Sequence, residues 1–420
     1  MNEARRGGEA PRRLAYLSAA PMVSTRPAAA LGGPQAHVLG VIQAFETLGW
    51  VVQRYIFGDR LKLGWAKRDN AKGLRSSSPM LFIADLARVF LGFLNGWKAA
   101  RQLGDVDWAY ERFASFQVLG RSLQRNRIPW ILETNALMYV EAAADRRSIY
   151  LVSLARRIER RAYQDCDVLI CVSQSLKEAI LQEAVIDPDK ILVVPNAVDV
   201  EFFNPARHEP VRLFSEPTIG FVGNLVRWQA LDLLLRALSA LRQEGIHYEL
   251  VVVGDGPQRE EWENLAESLG LGEHAKFTGR VPRMEVPGYM AGFDIGYSGQ
   301  VPLNLGSMYL SPLKLYEYMA MARPVVAAAF DDARRLLDST NAGYLYKAAD
   351  AEDLGRALRR AYTERSLWAE MGRRARLEVA ANHSWVARID ALLPEVKKIL
   401  TRKYGTPFPA RVEGSHYTGR

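Results

Sequence analysis

The feature that most constrains this chain is an alternation of short apolar runs with longer amphipathic ones, played through twice. LAYLSAA (14–20), WVVQRYIF (50–57), VDWAYERF (106–113), WILETN (130–135) and ILVVPNAVD (191–199) read as strands. Between the first two, QAHVLGVIQAFETLG (35–49) reads as a helix closed by a glycine. The pattern then restarts with TIGFVGNL, followed by a helix that lines up Leu233, Leu234, Ala237, Leu238 and Leu241 on one face. YELVVVGDG is apolar throughout and ends in a glycine turn, as a strand covered on both faces should. KFTGRV, FDIGYS and RPVVAAA complete the second set. Such alternation predicts an α/β fold of two parallel-sheet units.

A length of 420 residues also favours two cores over one. The expected division is a disordered basic tail (1–13), a first Rossmann-like domain (14–204), a linker (205–217), a second Rossmann-like domain (218–384), a crossing helix (385–403) and a tail (404–420). The linker is placed where NPARHEPVRLFSEP carries three prolines and no periodicity. Arg12-Arg13 before LAYLSAAPMV loosely imitates a leader peptide, but the apolar run is short and reads as the first buried strand. No apolar run approaches the about eighteen residues of a transmembrane helix. One region breaks the alternation: residues 60–75 are basic, and 79–103 are rich in Leu, Phe and Trp. It reads either as a membrane-facing element, with an anionic membrane surface as partner, or as an ordinary core helix behind a basic loop.

Cys166 and Cys171 are the only cysteines, and CDVLIC has no zinc or redox spacing, so they are expected as small apolar strand residues in a reducing compartment. The six histidines lack metal-ligand spacing, and no protein-held metal is expected. The net charge of +8 suits phosphorylated ligands or lipid headgroups; no nucleic-acid motif accompanies it, and none is expected as partner. A cytoplasmic location, at most at the inner face of a membrane, follows from these readings.

The chemistry concentrates in SPLKLYEYMAMARPVVAA (311–328). Ser311 suits a helix cap and Pro312 the first turn, with Leu313 following, so free amides and the positive end of the dipole form an anion site. Lys314 and Glu317 share a helical face there, either as a solvated pair or as ligands for phosphate and a ribose diol.

This segment resembles the donor-site signature of the retaining family 4 glycosyltransferases (the group 1 type), whose GT-B fold sets two Rossmann-like domains across a cleft, with a C-terminal helix returning to the first. The resemblance extends over about 14–400. It implies a nucleoside-diphosphate sugar as substrate, no cofactor, an acceptor bound by the first domain (glycan, lipid-linked or small molecule), and a leaving phosphate that itself helps deprotonate the acceptor. Glu317 matches the family's second Glu, which holds the donor ribose; the first falls at Tyr309, and the family's Gly before Pro is Arg323. Gly32-Gly33 matches the Gly-Gly loop beside donor and acceptor. YERF and LETNA look like a subgroup pattern, with Asn135 where many members have a sugar-contacting His, and Glu133 as a general base to test. GFVGNL, carrying Gly223, opens the donor half, but the family's diphosphate-clamping Arg and Lys fall at Asn224 and Gln229. Arg227 and Lys314 are the expected substitutes. VVVGDGP, with Gly254 and Gly256, resembles the next strand and turn, and FTGRV, with Gly279, Arg280 and Val281, the backbone that reads the base.

The competing readings are a catalytically silent scaffold that kept the fold and another GT-B enzyme such as an epimerase or phosphorylase, for which no motif speaks. A nicotinamide dehydrogenase is a poor reading, because no GxGxxG follows the first strand.

Overall fold

The computed structural model describes residues 11–26, 32–61, 78–144, 148–301, 309 and 311–405. Most of the predicted tails (1–10 and 406–420) and of the basic stretch (62–75) lie outside these residues. The first unit runs β1 (Arg13–Ser18), α1 (Gly33–Thr47), β2 (Val51–Ile56), α2 (Ser78–Gln102), β3 (Trp108–Arg112), α3 (Gly120–Gln124), β4 (Trp130–Thr134), α4 (Met138–Ala144), α5 (Val152–Asp165), β5 (Val168–Cys171), α6 (Gln174–Glu183) and β6 (Ile191–Val193). The second runs β7 (Thr218–Val222), α7 (Leu231–Gln243), β8 (Glu249–Val253), α8 (Arg259–Ser268), β9 (Ala275–Gly279), α9 (Val286–Gly292), β10 (Ile295–Ser298), α10 (Leu313–Ala320), β11 (Val325–Ala328), α11 (Asp331–Thr340), β12 (Gly343–Tyr346), α12 (Ala351–Thr363) and α13 (Trp368–Asn382).

Each unit holds one parallel six-stranded sheet, ordered β2-β1-β3-β4-β5-β6 and β12-β11-β10-β7-β8-β9. These are two Rossmann-like domains, and helices cover both faces of each sheet, which is why their central strands are largely apolar, with exceptions such as Glu111 and Glu133 buried in β3 and β4. The strand β12 was not anticipated; GYLY is short and follows a helix turned by Asn341 at φ +48, a left-handed position that asparagine tolerates. Arg13 opens β1 and does not belong to the tail, because its carbonyl accepts the Asp107 amide and its own amide donates to the Asp107 carboxylate at 2.7 Å. Cys171 lies in β5, whereas Cys166 sits just past the end of α5; both are buried free thiols that burial pushes up to about 12.

The last helix, α14 (Trp385–Tyr404), leaves the second domain and packs on the first. Ser384 caps it by accepting from the Ala387 amide at 3.2 Å, and Gly405 ends it at φ +73. Its face Ile389, Leu392, Leu393, Val396, Ile399 and Leu400 joins the core that holds Leu14, Val38 and Ile42. Burying this stripe contributes on the order of 10 kcal/mol of gross hydrophobic stabilisation. Contact with α1 is close because Gly40 has no side chain: a Cβ there would lie 2.3 Å from the Trp385 indole nitrogen. The second domain is thereby crossed back to the first, in addition to the link between β6 and β7.

Candidate active site between the two domains

The C-terminal ends of the first-domain strands face the second domain. Four contacts define the seam. The Ser173 hydroxyl, just after β5, donates to the Tyr309 carbonyl at 2.8 Å. Asn196, after β6, gives its amide to the Ser311 hydroxyl at 2.9 Å and its side chain to the Ser311 carbonyl. Ser175 bonds Asp331. A Cβ on Gly33 would meet Leu313 at 3.5 Å, so the first residues of α1 and α10 touch across the seam. Two helix N-termini thus converge, each presenting a partial positive charge to an anion, with Gly33 in α1 and Leu313 and Lys314 in α10 supplying first-turn amides.

Beside that junction lies Lys314. Its ammonium is buried, donates to the Gln229 side-chain oxygen at 2.6 Å and stands 3.9 Å from the centre of the Phe221 ring. Burial drives its pKa down to about 7, with Glu317 opposing. Burial likewise raises Glu317 to about 7, against the pull of Arg283 and Lys314. The solvated Lys–Glu pair is therefore not what forms: both groups are desolvated, which makes each available to a ligand at a neutral-pH energy cost a surface pair would not have. Gly223 borders the lysine, since a Cβ there would lie 3.3 Å from its ammonium. Gly254, at φ +138, lets the turn after β8 press on the turn after β7; a Cβ would sit 1.9 Å from the Gly223 carbonyl oxygen. Gly256 serves the same close approach against Leu225.

A second cluster stands on the first-domain side. Glu133, at the end of β4, is buried with the His37 ring nitrogen 2.5 Å away and Arg112 at 3.7 Å. It also accepts from the Tyr110 hydroxyl at 2.8 Å and the Asn135 amide at 2.9 Å. Burial alone raises this carboxyl, but His37, Arg112 and Tyr110 outweigh it and hold it at about 2. Such a carboxylate is a poor proton acceptor near neutrality, so the expectation of Glu133 as a general base is corrected: its strong partners keep it ionised and occupied. The cluster continues through His37 to the Asn196 side-chain oxygen (2.8 Å), from Asn196 to Ser311, and from Ser311 to Asp332, which also accepts from the Tyr316 hydroxyl at 2.6 Å. One polar chain therefore spans both domains.

Ser311 is a further correction. It does not cap α10, whose N-cap is Pro312 without a side-chain bond; its hydroxyl is spent on Asn196 and Asp332. Among the described residues the Leu313 and Lys314 amides of α10 are left for another acceptor as a result, while the Leu315 amide turns back to the Pro312 carbonyl at 3.2 Å. Tyr309, where the resemblance looks for an acid, is buried in a first-domain cluster with Phe113, Leu132 and Leu137, so it staples the domains together. Arg227 is exposed on the 3-10 turn Arg227–Gln229, whereas Gln229, two residues on, is buried. Asn224 and Arg280 are exposed, Val281 is partly buried against the second-domain core, and Gly32 is exposed beside Pro34. The structure thus brings Gly33, Gly223, Gln229, Leu313 and Lys314 together, and gathers Glu133 and Asn135 into the neighbouring cluster.

His37, Asn196 and Asp332 were not singled out from the sequence. His37 had a detectable signal, being a polar residue on a helix face otherwise formed by Val38, Val41, Ile42 and Phe45. Asn196 and Asp332 had none, because only the apposition of the domains gives them their partners.

Comparison with known proteins agrees with this architecture. A family model described as Glycosyltransferase Family 4 matches residues 31–202, and one described as Glycosyl transferases group 1 matches 216–364. The chain is 28% identical over 247 residues to a GDP-mannose-dependent alpha-(1-6)-phosphatidylinositol monomannoside mannosyltransferase of Mycolicibacterium smegmatis, covering 56% of this chain and 61% of that one. The match therefore spans less than two thirds of that relative. A D-inositol 3-phosphate glycosyltransferase of Stackebrandtia nassauensis is 26% identical over 345 residues, 77% of this chain and 76% of that one. Among solved structures, sucrose-phosphate synthase from Thermosynechococcus elongatus superposes with a TM-score of 0.69 at 18% identity, covering 93% of this chain and all of that one. Anabaena HepE in complex with UDP-glucose gives 0.60 at 15% identity, covering 92% and 99%. At such identities these structures bear on the fold, which is GT-B.

Proposed function

Since this chain belongs to the group 1, family 4 glycosyltransferases, we propose that it moves a sugar from a nucleoside-diphosphate sugar to an acceptor hydroxyl, with retention and without a metal ion. The observation that carries this reading is the meeting of α1 and α10 at Gly33 and Leu313 with the buried Lys314 alongside. Departure of a nucleoside diphosphate builds charge on its outer phosphate, and that charge needs preorganised donors in a water-poor site. The amides of α10 and the Lys314 ammonium supply them; Arg227, exposed at the rim, is the second cation of the reading. Glu317 accepts the ribose hydroxyls, while Gly223 and Gly254 keep the strand ends low enough for the nucleotide to approach. Gly279, Arg280 and Val281 lie along the base. Ser311 and Pro312 hold the start of α10 at the seam, and Gly32-Gly33 does the same for α1.

Glu133 and Asn135 act in this reading by positioning. Glu133 fixes His37, which fixes Asn196 and so the start of α10. The leaving phosphate takes the acceptor proton, which leaves no role for a protein base. The acceptor is a hydroxyl on a glycan, a lipid-linked molecule or a small molecule, with an anionic membrane surface as a further partner and the cytoplasmic side as location.

Tyr309 favours a second reading. Its burial in the first domain leaves the position of the family's first acid with a structural task, as a catalytically silent scaffold would. One experiment separates the two. The intact protein is heated with each nucleoside diphosphate and then incubated with the corresponding sugar nucleotides, and the anomeric configuration of product is read by NMR. Stabilisation and a retained anomer, unaffected by chelator, support transfer; nucleotide binding without turnover supports the scaffold, and neither binding nor turnover sinks the donor reading.

A further inference from the structure

Helix α2 is built the wrong way round for a soluble domain. Ile83, Leu86, Phe90, Phe93 and Trp97 recur at alternating three- and four-residue steps, the spacing of an apolar stripe that normally faces a core. Here the stripe faces outward: Ile83 is 65%, Phe90 62% and Phe93 69% exposed. The face turned to the protein is instead made of small and polar residues. A Cβ on Gly92 would lie 3.0 Å from Gln117, one on Gly96 would lie 2.8 Å from the Ser122 hydroxyl, and Asn95 accepts from Tyr55 at 3.0 Å. Among the described residues α2 is the one helix long and apolar enough to cross a bilayer by length and composition, yet its inner face is committed to these contacts.

The helix is also longer than its sheet requires. Gly92 packs beside Gln117, whose side chain bonds the Ala19 carbonyl just past the end of β1, so this level marks the sheet's C-terminal edge. Residues 78–91 project beyond it by about 21 Å at 1.5 Å per residue, on the side that faces the second domain. The projection is braced by a small cluster of Phe116, Ala142, Ile149 and Ala155 with Val89 against it, and Phe82 meets the exposed Tyr150 ring edge-on. Its charge is one-sided. Asp85, the only acid in α2, is fully buried and accepts from the Tyr150 and Leu151 amides and from Arg88. The exposed charges on α2 are Lys98 and Arg101, both positive.

We propose that the outward stripe of α2, with Tyr150 beside it, docks on the surface of an anionic lipid bilayer. This names the surface through which the membrane partner in the reading above is met, and it stands independently of the donor site. An apolar face with cations at its C-terminal end and no exposed acid on its helix suits the headgroup boundary.

The test is flotation of the full-length protein with vesicles of phosphatidylcholine alone and with phosphatidylglycerol added, for the wild type and the Ile83→Asp/Phe90→Asp variant. Both positions are exposed, and an unchanged circular dichroism melt establishes that the variant folds. Wild-type flotation with the anionic vesicles, lost at least tenfold in the variant, is the expected result. A wild type that stays at the bottom, or a variant that floats equally well, overturns the proposal. A dimer in sedimentation that the variant dissolves, without flotation of either, assigns the stripe to self-association and also overturns it. Thermal stabilisation by nucleoside diphosphates, measured on the same samples, is expected unchanged in the variant, so loss of the donor reading is told apart from loss of this one.

Discussion

The Lys314 ammonium lies 2.6 Å from the Gln229 amide oxygen and 3.9 Å above the Phe221 ring, buried at the start of α10. Among the described residues no carboxylate bonds it directly, so its charge is held by a neutral dipole and a ring face, both weaker than an ion pair. That leaves it free to take an anion. Replacing it by Met is expected to weaken nucleoside diphosphate binding about 100-fold, near 3 kcal/mol, the upper range for a charge-assisted hydrogen bond. Calorimetric titration checks this; a Lys314→Met protein that binds with wild-type affinity refutes the clamp.

The same lysine predicts a pH effect. With its pKa lowered to about 7 in the free protein, a diphosphate must restore the proton, so binding takes up protons above pH 7. Affinity should fall as pH rises through 7, by up to about tenfold per unit. Glu317, raised to about 7, gains charge over the same range, and Glu317→Gln isolates the lysine limb. Titrations from pH 6 to 9 in buffers of differing ionisation enthalpy read the uptake directly. A flat profile in Glu317→Gln would sink this prediction.

Glu133 gives the opposite sign for stability. Its folded pKa of about 2 lies below the roughly 4.3 of an unfolded glutamate. It therefore contributes about 3 kcal/mol that is fully present above pH 5 and is lost as pH falls toward 2. Urea unfolding at pH 6 and pH 3 should show about half of this loss in the wild type, since the folded carboxyl is still mostly ionised at pH 3. In Glu133→Gln that component vanishes, and stability at pH 6 drops by about 3–5 kcal/mol because His37 and Arg112 lose a buried partner.

Glycine roles separate by geometry. Gly254→Ala places a methyl 1.9 Å from a backbone oxygen at a φ of +138, and should cost more than about 3 kcal/mol. Gly32→Ala, whose methyl meets only Pro34 at 3.8 Å, should change stability by less than about 0.5 kcal/mol. Equal melting temperatures for the two variants would contradict the tight approach of the strand ends.

Tyr309→Ala is expected to destabilise by about 3–5 kcal/mol, the cost of emptying a buried aromatic site, whereas Tyr309→Phe should be mild. If Tyr309→Ala unfolds in urea like the wild type, Tyr309 does not join the domains.

The amino-acid sequence determined the fold class and most of the strands, because an apolar run of four to six residues between amphipathic helices has few other solutions. It also brought Lys314, Gln229 and Gly223 into view, since strand-end glycines and a Pro-led helix start are local signals. Tertiary structure decided the rest. Ser311 carries every mark of a cap but is taken by Asn196 and Asp332, partners at long range in the chain. Glu133 carries the mark of a base but is fixed as an anion by His37 and Arg112. The α2 stripe has core periodicity but points outward, because glycines on its opposite face allow closer packing than the large side chains would. Periodicity reports which faces differ, while burial and partners, which set pKa and direction, arise only when distant segments meet.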